Sequence, residues 1–248
     1  MPDSDLTRPR AAQRILLEVI ATTVADAKAA EQAGADRLEL ITAFGEGGLT
    51  PSIGMVEAVV DAVRIPVNVI VRPHSRSFVF DASDYAVMLR DVRAIAAARA
   101  NGIVIGMLTA AGEIDRDGLA RAIDAADGLS ITFHRAFDEA RDLQQAFDAL
   151  LEFDAVTNVL TSGGAPSVLQ AAQTVRTLVA RARGSHCTVL AGAGLTVDAL
   201  GDFVAATGVR AVHFGSGVRV GGTALAPIDA AKVARVRALL DAAVEGGA

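Results

Sequence analysis

Residues 15–23, Ile15-Leu16-Leu17-Glu18-Val19-Ile20-Ala21-Thr22-Thr23, form the first apolar run of the chain, and its end decides the fold. The run reads as a strand, and 24–33 behind it as a helix stopped at Gly34, a residue suited to a left-handed cap. A doubly wound open sheet would place a glycine-rich turn directly after its first strand. Ile20-Ala21-Thr22-Thr23 contains no glycine. That favours a closed barrel over the open sheet for a strand–helix repeat.

The same alternation runs outward from there. Strands are predicted over 15–21, 37–41, 67–73, 102–108, 129–137, 155–163, 187–194 and 211–217, starting between 22 and 35 residues apart. Each interval holds a strand, a helix of three or four turns and two loops. Asp26 and Asp84 fall near first turns, where they complement the helix dipole. Eight units with no linker between them predict an α/β fold, a single-domain (β/α)8 TIM barrel over 14–245. Residues 1–13 and 246–248 read as loose tails.

Composition agrees. A chain of 248 residues has the length of one such barrel, and 52% hydrophobic residues exclude disorder. The longest strongly apolar stretch, 103–108, is far too short for a membrane span. A net charge of −6, no Trp and one tyrosine, Tyr85, argue against nucleic acid and anionic membranes as partners. Cys187 is the single cysteine, which excludes an intrachain disulfide and a two-thiolate metal site within one chain. The polar N-terminus predicts no signal peptide, so a cytoplasmic location is the default. A homo-oligomer is compatible with all of this.

In a barrel, chemistry gathers where strands end. Five predicted strands end on ionisable groups: Glu18, Glu39, Arg72, His134 with Arg135, and His213. A lone buried glutamate is ordinarily half of an ion pair, and a lone histidine can bridge backbone carbonyls. So many charges facing one mouth point instead to a polar ligand site. Glu18 and Glu39 end adjacent strands, about 4.8 Å apart in the ladder direction, and are expected to share a ligand, a cation or Arg72.

Period-two alternation puts Thr132, His134 and Ala136 on one face of the fifth strand, and Phe133, Arg135 and Phe137 on the other. Thr50 before Pro51 reads as a helix N-cap, and His74 and His186 as solvent-exposed loop residues. Met107 ends the fourth strand within reach of the mouth. Ala191-Gly192-Ala193-Gly194 and Gly215-Ser216-Gly217 end the last two strands, where barrels often bind phosphate through backbone N–H groups. Tight turns that merely need glycine are the alternative. The candidate set is therefore Glu18 or Glu39 as base and His134 as partner acid. Arg72, Arg135, Ser162 and His213 would contact a small anionic ligand, with the amides of Gly192, Gly194, Ser216 and Gly217 around its phosphate.

Several of these strings resemble the CutC family, named for copper homeostasis. They are Gly47-Gly48-Leu49-Thr50-Pro51-Ser52, Thr132-Phe133-His134-Arg135-Ala136-Phe137-Asp138 and Leu160-Thr161-Ser162-Gly163, with Arg72-Pro73 and Val212-His213. The resemblance runs from about residue 15 to 217. It implies a TIM barrel, a cytosolic location and a role in copper tolerance or copper binding. Positions where many family members carry cysteine are Ile20, Ala21, Ile41 and Val79 in this chain. Copper is thus a cofactor by resemblance alone, and no metal ligands are assigned. The residues by themselves also suit acid–base chemistry of the lyase, isomerase or hydrolase type on a phosphorylated or carboxylated metabolite.

Overall fold

Strands buried on both faces read as short Val/Ile/Leu runs. Eight of them pair in sequence order, all parallel, into a closed barrel in the computed structural model, which describes residues 14–245. They are β1 (Leu16–Ala21), β2 (Arg37–Leu40), β3 (Val67–Ile70), β4 (Gly102–Ile105), β5 (Ser130–Phe133), β6 (Val156–Thr161), β7 (Thr188–Ala191) and β8 (Ala211–Phe214). Helices follow each in turn: α1 (Val24–Gln32), α2 (Ile53–Ala62), α3 (Ala82–Ala97), α4 (Arg116–Ala126), α5 (Leu143–Leu151), α6 (Ala172–Arg181), α7 (Leu200–Thr207) and α8 (Ala230–Glu245). This is the expected TIM barrel. The two predicted tails lie outside the described residues. No described helix is long and apolar enough to cross a membrane.

Alternation along each strand divides the core. Outward residues such as Leu17, Val19, Leu38, Val69, Ile103, Phe133, Val189 and Phe214 join one large cluster with the helices. Inside the barrel the apolar residues form two small groups, Ile20, Ile41, Ile70 and Val104, and Leu160, Leu190 and Ala211. Between these groups the interior is polar.

The strands stop sooner than expected, for local reasons. His134 Nδ1 accepts the backbone N–H of Ala136 (3.1 Å) and opens a 3-10 turn over Arg135–Glu139, so two-face alternation ends at Phe133. Thr50 is not the cap of α2. Ser52 caps it, while Thr50 Oγ1 donates to the carbonyl of Arg72 (3.2 Å) and accepts its N–H (2.9 Å). His186 is exposed as expected, but His74 is half-buried, 5.4 Å from the Phe80 ring and 3.2 Å from Asp84 Oδ2.

The β1–β8 ladder closes the barrel, and two buried arginines brace that seam. Arg237 on α8 donates to the Ile15 carbonyl (2.9 Å) and to Asp36 (2.8 Å), tying the last helix to the first strand. Arg219, only 1% exposed, pairs with Asp26 (3.0 Å) and donates to the carbonyls of Ile20 (3.1 Å) and Ala226 (2.6 Å). Removing one partner of a buried pair leaves an uncompensated charge. Arg219→Met is therefore expected to lower the unfolding free energy by about 3–5 kcal/mol, read from urea denaturation.

Candidate functional site

The mouth of the barrel holds a cavity of about 370 Å³, lined by strand ends and the loops after β2, β3, β5, β7 and β8. Glu39 reaches it while only 4% exposed. Burial pushes the Glu39 carboxyl up to about 7, with the nearby His213 charge relieving part of that cost.

His213 stands between the two glutamates. Its Nδ1 lies 2.8 Å from Glu18 Oε1, and its Nε2 lies 3.6 Å from Glu39 Oε2. Burial alone would lower the imidazole pKa, but the Glu18 hydrogen bond and both carboxylate charges outweigh it and raise it. Burial would likewise raise the Glu18 pKa, yet Arg37 and His213 together hold it down at about 2. Arg37 Nε contacts Glu18 Oε2 at 2.5 Å, and Arg37 Nη1 donates to Asn158 Oδ1 at 2.9 Å. A carboxylate this acidic is a fixed charge with little basicity. Glu18 does not line the cavity.

The expected side-by-side placement of the glutamates is not what forms. Glu18 is in register with Arg37, and Glu39 with Ile20, so the two carboxylates meet only through His213. Arg37 was not among the expected site residues. Its signal was present, because alternation puts a charge at 37 on the inward face that carries Glu39.

His134 also reaches the cavity, 5% exposed. With Nδ1 accepting from Ala136, the ring proton sits on Nε2, which is buried and unpartnered among the described residues. Burial first, then the charges of Arg72 and Arg135, push its pKa down to about 3. At neutral pH His134 is therefore a neutral imidazole, and Nε2–H is the proton it can offer in the expected role of partner acid. Gly106 makes this position possible, since a Cβ there would lie 2.4 Å from His134 Nδ1.

Arg72 is held by the carbonyls of Glu46 (3.1 Å) and Gly48 (3.3 Å), with its guanidinium 4.7 Å from the Phe78 ring centroid. Its Nε is buried without a partner among the described residues. Arg135 lines the cavity too, paired through Nε with Asp138 (2.9 Å) and through Nη2 with Ser162 Oγ (3.1 Å). Ser162 lies behind the wall. Its hydroxyl donates to the Ala165 carbonyl (2.6 Å), so it positions Arg135 and has no proton to offer a ligand.

Gly194, Ser216 and Gly217 line the mouth. Among the described residues their backbone N–H groups donate to nothing. Gly192 differs. Its N–H donates to the Thr161 carbonyl (3.0 Å), and a Cβ there would lie 3.0 Å from His213. It makes room for the imidazole and supplies no amide. The aromatic walls Phe44 and Phe78 escaped the sequence reading, because a Phe in a loop carries no periodic signal.

Among the described residues, none that lines the cavity carries sulfur. Met107 is fully buried in the large cluster outside the strands, which corrects the expectation that it reaches the mouth. Cys187 lines a cavity at the opposite end of the barrel, and burial pushes its thiol up to about 12. Soft Cu(I) is held by thiolate and thioether ligands, so the residues of the mouth do not fit it. No group of three or more His, Cys, Asp or Glu side chains placed to hold a metal occurs among the described residues.

Comparison with known proteins covers most of the chain. The model of the CutC family matches residues 15–218. A CutC family protein of Photobacterium profundum is 36% identical over 199 residues, 80% of each chain. One from Salmonella enteritidis is 38% identical over 203 residues, 82% of this chain and 80% of its own. A crystal structure from Streptococcus agalactiae, described as a candidate copper homeostasis protein CutC, superposes with a TM-score of 0.76 at 26% identity, covering 80% of this chain and 97% of that one.

The raised Glu39 pKa has a consequence for stability. Between 4.5, its ordinary value, and about 7, the folded chain keeps a proton that the unfolded chain has released. Stability therefore falls as pH rises through that window. Glu39→Gln escapes this cost. The variant is expected to be about 1–3 kcal/mol more stable than its parent at pH 8, with the difference gone at about pH 4, measured by urea denaturation at both values.

Proposed function

This chain belongs to the CutC family, and on that premise we propose that its barrel mouth binds a small anionic metabolite, phosphorylated or carboxylated, and moves a proton on it. The observation that carries this reading is Glu39. A buried carboxyl held near neutrality at the wall of the mouth cavity suits a general base.

The remaining groups fall into roles around it. Arg72, with its free Nε, and the unpaired amides of Gly194, Ser216 and Gly217 anchor the anion. His134 Nε2–H donates to a carbonyl oxygen of the ligand, as neutral electrophilic imidazoles do. Glu39 removes a proton from the carbon next to that carbonyl. The electron pair of the C–H bond passes to the carbonyl oxygen, and the enolate is held by His134. The proton then returns from Glu39 to the same carbon, from either face, so no oxidant or co-reactant is needed. His213 is a positioning residue, fixed by Glu18 and aimed at Glu39.

A proton transfer of this kind leaves a trace in heavy water. Small oxo acids and sugar phosphates incubated in D2O with the protein are expected to exchange the proton next to their carbonyl, followed by proton NMR. Glu39→Gln should slow exchange by about 10²–10⁴-fold, and Arg72→Gln should raise KM more than it lowers kcat. Binding without exchange in any compound would reduce the mouth to a sensor and sink the proposed reaction.

The copper role implied by resemblance has its own test. We expect no stoichiometric high-affinity Cu(I) site in the monomer, so competition with a bicinchoninate chelator should strip the protein. Retention of one copper per chain, lost in Cys187→Ser, would overturn this.

A further inference from the structure

The barrel has a second opening at its N-terminal end, a cavity of about 960 Å³ on the far side from Glu39. Its inner wall includes Arg37 and Asn68, which are 9% and 1% exposed. Both polar atoms of the Asn68 amide, Oδ1 and Nδ2, lack a hydrogen-bond partner among the described residues, and so does Arg37 Nη2. Buried polar atoms are nearly always satisfied, so an unmade donor–acceptor pair beside an unmade cationic donor marks a place where something else binds.

Charge points to what it is. Arg183 and Arg210 stand exposed on the rim, and neither forms an ion pair among the described residues. Asp36 is the acid in the lining, and it is committed to Arg14 (3.1 Å) and Arg237 (2.8 Å). Arg37 keeps Nη2 free because Glu18 takes Nε and Asn158 takes Nη1. On a chain of net charge −6 this is a local cationic basin, and it draws small anions toward the buried amide.

We propose that this cavity is a second ligand site, for a small oxyanion that also carries a hydroxyl, such as hydrogen phosphate or a hydroxy acid. The oxyanion accepts from Arg37 Nη2 and Asn68 Nδ2, and the hydroxyl donates to Asn68 Oδ1. That combination satisfies all three unmade partners. The rim arginines raise the local anion concentration and the rate of capture. The site shares no ligand-contacting group with the mouth, using neither Arg72 nor the amides after β7 and β8, although Arg37 also holds Glu18 behind the mouth.

Inorganic phosphate titrated by calorimetry into the full-length chain tests this. In Arg72→Gln, which weakens the mouth but keeps its amides, a saturable phosphate site that depends on the cationic rim is expected to remain. Adding Arg183→Ala and Arg210→Ala should weaken it at least tenfold, and adding Asn68→Leu should abolish it. No saturable binding in Arg72→Gln would overturn the proposal, as would binding that neither the rim pair nor Asn68→Leu affects. If Asn68→Leu fails to fold, the rim pair decides, because both residues are exposed.

Discussion

Arg37 on β2 meets Glu18 on β1 at 2.5 Å in the barrel interior, and the polar chemistry of both ends is arranged around that contact. The pair fixes one negative charge where water has no access. That charge orients His213 through Nδ1, and His213 in turn faces Glu39 from the other nitrogen. A buried ion pair is a doubtful source of stability, since desolvation offsets much of the attraction. What this one supplies is placement: two glutamates in the same interior end with opposite proton affinities because only one of them touches an arginine.

The fold was legible because it depends on pattern. Eight apolar runs at barrel spacing, and the absence of glycine after the first, predict the closed sheet without any knowledge of contacts. The site was legible only in its composition. Glu39, Arg72, His134, Arg135 and His213 do converge on the mouth, as charges at strand ends should. Their relations were not readable. Whether Glu18 neighbours Glu39 or Arg37 depends on a strand register that period-two patterning leaves open by two residues. Which ring nitrogen of His134 carries the proton depends on a turn that begins at its own side chain. Thr50 followed by Pro51 looked like a cap for a sound local reason, but the backbone of Arg72, just beyond β3, took the hydroxyl.

The name CutC and the residues of the mouth speak of different chemistries. Membership of the family is established by similarity along most of the chain. The cavity itself is walled by nitrogen, oxygen and both aromatic and aliphatic carbon, with the single thiol at the far end of the barrel and held neutral by burial. Soft metals do not suit such a wall. A family label and a local donor set carry separate information, and the donor set limits the chemistry more tightly.

Gly106 contributes to the mouth by having nothing beyond its Cα. The imidazole of His134 occupies the volume that any side chain on the end of β4 would need. One of the eight strand ends is thereby withdrawn from adaptation, and selection for a new ligand has to act through the others. The loop after β2 is itself pinned to β3 by the Thr50 clamp on Arg72. The freest ground is the segment beyond β3, where Val79 is exposed, and the turn beyond β8, where Leu225 stands 90% exposed. Divergence in ligand preference among related chains should concentrate there, while 106 stays glycine.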